Sequence, residues 1–173
     1  DEALQTWIVF RHDNPIYYWI SNTAVVTDSV IYLTLSDEYK LGSQRAAFNA
    51  TVENAVEEYS KLTEKLNTKL EKAIAVHDKI CKDVSYAKDS NGNPSSEAWA
   101  HNILGVFDNK EAVCESYAKV YQLILTYIGI ENIYVTGVAG SQNHAWNMVK
   151  LDDDEWHFID VTWDDTSVED EYT

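Results

Sequence analysis

The chain has 173 residues, with 13 Lys and Arg against 29 Asp and Glu and a formal charge of −16. That length is enough for one domain with a real core, and six Trp and eleven Tyr beside only two Pro point to a packed fold, not a disordered one. The acidic balance excludes nucleic-acid binding through phosphates, which needs a basic footprint, and attraction to an anionic membrane surface.

No run reaches the length of a transmembrane helix, and no signal peptide is present. The chain starts at Asp1 without a methionine and stops at Thr173 soon after its last strand-like segment, so it reads as a piece cut from something longer. Residues 1–42 read as an N-terminal β arm packed on a core formed by residues 43–173. Apolar runs at Thr6–Phe10 and Ile16–Ile20 are parted by the turn-like His12-Asp-Asn-Pro15. Ala24–Thr27 and Val30–Leu35 then form a hairpin about Asp28 and Ser29. An arm this short buries little by itself.

From Ser43 to about Val84 the pattern is helical. Val52, Ala55, Val56, Tyr59, Leu62, Leu66, Leu70, Ala73, His77, Ile80, Cys81 and Val84 mark one long apolar stripe. Thr68 and Glu71 have the spacing of a capping box, which predicts two helices broken near Asn67. Cys81 and His77 lie on the stripe and read as core residues, the histidine satisfied locally. The stretch from Asp89 to Glu97 begins like a calcium loop, but Pro94 stands at the sixth position and Ala100 at the twelfth. A loop with a helix cap at Ser95 or Ser96 explains it better, and no metal is expected. A short helix over 96–107 follows.

Cys114, Tyr117, Ala118, Tyr121, Leu125 and Ile128 recur at the spacing of one buried helical face, and Gly129 supplies a C-terminal left-handed residue. Cys114 therefore opens a helix and points into the domain. The partial positive charge of a helix N-terminus favours thiolate over thiol there. A cysteine so placed is either core or nucleophile.

Asn143–Lys150 and Glu155–Trp163 alternate like strands, joined by a turn of Leu151-Asp-Asp-Asp-Glu155. With a three-residue loop, either Lys150 faces Asp154 or Leu151 faces Glu155. His144 then lies opposite Asp160 or diagonal to it, on one face of the sheet in both registers. Cys114, His144 and Asp160 can thus converge. His157 falls on the other face and serves as a control. His12 and His101 read as structural. Trp146 and Trp163 either line the cleft or join the core, and Trp163 is assigned to the core. A Cys81–Cys114 disulfide would remove the nucleophile; both cysteines have apolar partners on their own helices, and two thiols make no disulfide framework.

The blocks Ala112-Val-Cys-Glu-Ser-Tyr-Ala118, Asn143-His-Ala-Trp-Asn147 and Glu155-Trp-His-Phe-Ile-Asp160-Val-Thr-Trp163 resemble the core of the transglutaminase-like superfamily across roughly residues 70–165. Ala112 and Ser116 depart from the two glycines usual around that cysteine. The resemblance implies an α+β, papain-like fold of helices on an antiparallel sheet, with no cofactor. It implies Cys114 as nucleophile, His144 as base and Asp160 as the group that orients it. The oxyanion would be held by the Cys114 backbone N–H and a second donor, for which Trp99 and Tyr86 are candidates. The expected activity is acyl transfer from protein or peptide amides through a thioester, ending in hydrolysis or in transfer to an amine. The alternative is a non-catalytic binding or scaffold module at the cell surface. Many bacterial members of the family imply an exported, extracellular or cell-surface location.

Overall fold

In the computed structural model, which describes residues 2–28 and 30–165, the chain opens with a helix, α1 (Glu2–Asp13), where the run Thr6–Phe10 predicts a strand. Short apolar runs are ambiguous between the two, and side-chain contacts decide this one. Trp7 is buried, Phe10 stacks on it at 6.1 Å, and the Arg11 guanidinium lies over the same indole at 5.7 Å. Partners three and four residues apart are neighbours on a helix.

The second predicted strand, Ile16–Ile20, is a turn as far as Trp19. The Tyr17 N–H donates to the Asn14 carbonyl (3.1 Å) and the Ile20 N–H to the Tyr17 carbonyl (3.0 Å). Its aromatic residues are used for anchoring instead. Tyr18 meets Tyr39 edge-on at 5.3 Å, and Tyr39 meets Phe48 at 5.4 Å. The hairpin does form, from antiparallel β1 (Ile20–Val26) and β2 (Ile31–Leu35). Residues up to 42 therefore comprise a helix and a hairpin, not an all-β arm.

Helices α2 (Gly42–Thr63) and α3 (Lys69–Asp83) break where the capping box places the break. The Glu71 N–H donates to Thr68 Oγ1 (3.1 Å), and the Thr68 N–H donates to Glu71 Oε2 (3.0 Å). The carboxylate of Asp152, far along the chain, accepts the Lys69 and Leu70 N–H groups at 3.0 and 2.9 Å. Three donors that a helix start leaves unanswered are thus satisfied.

Two short parallel strands, β3 (Ser85–Tyr86) and β4 (Glu111–Ala112), flank an irregular segment. At its start the Asp89 carboxylate accepts the N–H groups of Asn91 and Asn93 at 2.8 and 2.9 Å. The helix predicted over 96–107 is instead a 3₁₀ turn (Ala98–His101) and a π turn (Gly105–Asn109). Asn102 divides them, because its amide donates to the Ala98 carbonyl and its Oδ1 accepts the Leu104 N–H, bonds that compete with the helical ladder. Glu97, not Ser95 or Ser96, occupies the cap position.

Helix α4 (Cys114–Tyr127) is the axis of the molecule. It packs on α2 and α3 and on a three-stranded antiparallel sheet of β5 (Asn132–Ala139), β6 (Gln142–Lys150) and β7 (Trp156–Ile159). Tyr117, Tyr121, Ile124 and Leu125 are fully buried with Val76, Ile80 and Val149. Burial is not confined to one stripe, since Ser116, Lys119 and Gln122 are also buried. At its start, Ser116 is wedged against Gly105. A Cβ at residue 105 would sit 2.9 Å from the carbonyl oxygens of both Trp99 and Glu111 and 3.0 Å from Ser116 Oγ. Gly105→Ala should therefore cost about 1–3 kcal/mol, seen as a lower urea midpoint with an unchanged m-value.

Candidate active site

Cys114 is the first residue of α4 and is partly buried against Ala118, Tyr134 and Ala145. His144 lies on β6, beside Ala145. The β6–β7 turn has three residues, with Asp154 in the left-handed region (φ 65°) and the Leu151 N–H donating to the Glu155 carbonyl, the usual form of a three-residue hairpin loop. Of the two registers open to the sequence this is the second. Asn147 pairs with Ile159 and Met148 with Phe158, so Asp160, just beyond β7, lies diagonal to His144.

The two side chains meet at 2.6 Å between His144 Nε2 and Asp160 Oδ2. A carboxylate only accepts, so Nε2 carries the proton, and Nδ1 is left for Cys114. The other Asp160 oxygen accepts the Trp163 N–H at 3.2 Å, which fixes the carboxylate in the turn after β7. Burial works against a charged His144, but hydrogen bonds to Asp160 and Cys114 and their negative charges outweigh it and raise the imidazole to about 9.

His144 is also held flat. Trp163 stacks on it at 4.8 Å and Trp146 at 5.8 Å, and the Trp146 ring lies over Gly137, where a Cβ would approach it to 2.6 Å. Trp163 is 47% exposed, so it roofs the cleft and is not a core residue. It follows β7 in a turn, where its ring stacks on the imidazole and remains partly exposed.

Cys114 and His144 share two openings. One is a cavity of about 120 Å³ that Tyr86, Val113 and Trp163 help to line; the other is a groove of about 560 Å³ bordered by Glu115, Tyr134, Thr136 and Gly137. Of the two oxyanion candidates, Tyr86 lines the first opening. Trp99 packs with Ala87, Ala100 and Val113 and lines neither. Cys81 and Cys114 are both free thiols. Burial, then the nearby Asp165 and Asp164 carboxylates, push the Cys81 thiol up to about 12. His77 is satisfied, by Asp78 and Asp164 at 2.9 and 3.2 Å. His157 bonds Asp153 at 2.8 Å, away from the cleft.

One group near the sulfur escapes a reading by motif. Glu115 is held by Lys119 Nζ (2.6 Å) and His101 Nδ1 (2.9 Å), with Arg11 Nη2 at 3.8 Å. Burial disfavours its charge, yet the hydrogen bonds and charges of His101 and Lys119 overcome this and hold the carboxyl at about 2. The i, i+4 spacing of Glu115 and Lys119 is the sequence signal for half of this cluster; His101 and Arg11 reach it only through the tertiary fold.

The sequence profile of the transglutaminase-like superfamily matches residues 58–161, well over half of the chain. The chain belongs to the transglutaminase-like superfamily. Solved structures share the transglutaminase-like and papain-like fold. A crystal structure described as a TGase matches at 14% identity with a TM-score of 0.58, over 82% of this chain and 44% of that one. A protein from Cytophaga hutchinsonii, provisionally described as a cysteine protease, matches at 20% identity and TM-score 0.52, over 64% and 37%. The periplasmic domain of TgpA from Pseudomonas aeruginosa matches at 17% and 0.52, over 68% and 46%. This transglutaminase-like chain thus spans less than half the length of each. A comparison with curated proteins finds no match. Among the described residues no helix is long and apolar enough to cross a membrane.

Because Asp160 raises His144, its removal should lower it. Asp160→Asn is expected to bring the His144 midpoint down from about 9 toward the ordinary 6.5, read by NMR titration of the imidazole C–H signals; an unmoved midpoint would refute the pairing.

Proposed function

We propose that this chain is a cysteine-dependent acyl-transfer enzyme acting on protein or peptide amides, with Cys114 as nucleophile, His144 as general base and acid, and Asp160 as the group that orients the ring. The observation that carries this reading is the His144 ring, bonded through Nε2 to Asp160 at 2.6 Å and bordering the same two openings as Cys114. His144 Nδ1 takes the thiol proton, and the sulfur attacks the amide carbon. The tetrahedral oxyanion is met by the Cys114 N–H at the start of α4, with Tyr86 as second donor. When the intermediate collapses, the C–N bond breaks, the imidazolium gives its proton to the departing amine, and a thioester remains. Water or a primary amine then attacks that thioester, with His144 again taking the proton.

Whether the enzyme hydrolyses or cross-links is decided by competition between water and an added amine. An exported location fits the relationship to a periplasmic domain and is tested by fractionating the host cells.

Cys114→Ala should reduce amide turnover by about a thousand-fold or more, and His144→Ala should slow alkylation of Cys114 by iodoacetamide, while His157→Ala changes neither. Equal alkylation of wild type and His144→Ala would instead favour a binding module. Since the folded His144 sits near 9, its acid form persists below that pH and is lost above it. The alkaline limb of kcat/KM should therefore lie near 9 and move to lower pH in Asp160→Asn.

A further inference from the structure

Beside Cys114 the local charge is opposite to that of the chain as a whole. Three cationic side chains, Arg11, His101 and Lys119, converge on one carboxylate, Glu115. Lys119 and Glu115 answer each other at 2.6 Å, which leaves Arg11 and His101 in excess. His101 is held in its charged form by its partners. Nδ1 faces the Glu115 carboxylate and Nε2 the Ser95 carbonyl, each at 2.9 Å. Both partners only accept, so both ring nitrogens must donate, which is the imidazolium.

Arg11 differs from the other two. Its guanidinium presents five donors, and its polar neighbours among the described residues are Asn22 Oδ1, at 2.5 Å from Nη2, and Glu115, beyond hydrogen-bond reach at 3.8 Å. It is only 15% exposed, yet it borders both the Cys114 groove and a neighbouring cavity of about 320 Å³ between the N-terminal segment and the core. His101 borders both as well. A cation held out of bulk water at the edge of two openings, with donors to spare, suits a ligand that accepts two hydrogen bonds at once.

We propose that Arg11, with the charge of His101 behind it, forms a carboxylate subsite next to Cys114, so that the preferred substrate carries a carboxylate on a residue adjacent to the amide under attack. The proposal rests on Cys114 being the nucleophile. The carboxylate can be an acidic side chain or a free chain terminus; the chemistry recognised is the same. The N-terminal helix is then part of substrate recognition, supplying the charged wall of the groove. Glu115 sets the orientation of that wall and prevents the cations from repelling one another.

The test uses two alkylating reagents of similar size, anionic iodoacetate and neutral iodoacetamide, with labelling at Cys114 followed by peptide mass spectrometry. In the wild type the iodoacetate-to-iodoacetamide rate ratio should exceed that of a free thiol. It should fall about three-fold or more in Arg11→Gln, as expected for one positive charge lost from a partly buried groove wall, and be retained in Arg11→Lys. An unchanged ratio in Arg11→Gln, with wild-type melting temperature, overturns the proposal. If Arg11→Gln does not fold, protection of the wild type decides. Acetylated glutamine tripeptides bearing a neighbouring glutamate, a free terminal carboxylate or neither are compared as protectants of Cys114. Better protection by one charged peptide supports the subsite and identifies the source of the carboxylate; equal protection by all three overturns it. A Cys114 inert to both reagents would be a different failure, that of the cysteine-enzyme reading, and would end this proposal with it.

Discussion

Enclosing α4 on every side takes Tyr117, Tyr121, Ile124 and Leu125 out of water, and with them Ser116, Lys119 and Gln122. A buried polar group without a partner costs about 1–3 kcal/mol; the surroundings of the helix supply partners to Ser116 and Lys119, whereas Gln122 Oε1 has none among the described residues. Ser116 donates to the Asn102 carbonyl at 2.6 Å, and Lys119 to the His101 carbonyl at 3.0 Å. These acceptors lie in the segment where a regular helix would have tied up its carbonyls in its own ladder. Its broken 3₁₀ and π geometry is the counterpart of a polar flank on the central helix.

The same enclosure sets two imidazoles beside Cys114 with different capacities. His101 has both nitrogens committed to acceptors, so it can carry charge but cannot readily exchange a proton. His144 has one nitrogen committed to Asp160 and lines the same openings as Cys114. The indole rings of Trp146 and Trp163 stack on His144 and hold its plane. On the proposed mechanism, proton traffic falls to His144 and fixed charge to His101, two residues of one type in different surroundings.

Much of this is legible in the sequence, and the reasons for the remainder are physical. The start of α4 at Cys114, the Thr68–Glu71 box and the alternation of β6 and β7 are local signals with strict spacing, and the folded chain follows them. His144 and Asp160 share a face in either register, so the ambiguity in the turn does no harm. Thr6–Phe10 misleads because a five-residue apolar run has no period of its own, and Trp7 is decided by tertiary burial. Leu62 and Leu70 match the α2–α3 stripe by spacing yet remain exposed, since the stripe runs past the end of the surface it covers. Trp163 follows from size and hydropathy as core, but its stacking partner is a polar ring at the edge of the cleft. Arg11 leaves no signal, because its relation to Glu115 spans about a hundred positions and exists only after α1 has docked.

The carboxylate of Asp152 has two addresses. It sits in the loop joining β6 to β7 and also closes the start of α3. Sliding one strand of that ribbon past the other would drag the loop with it and strip two N–H groups of their acceptor, so the alignment of the ribbon is indexed to the start of α3. A length change of one residue between 151 and 155 would thus be felt twice, as a lost helix start and as His144 and Asp160 on opposite sides of the sheet.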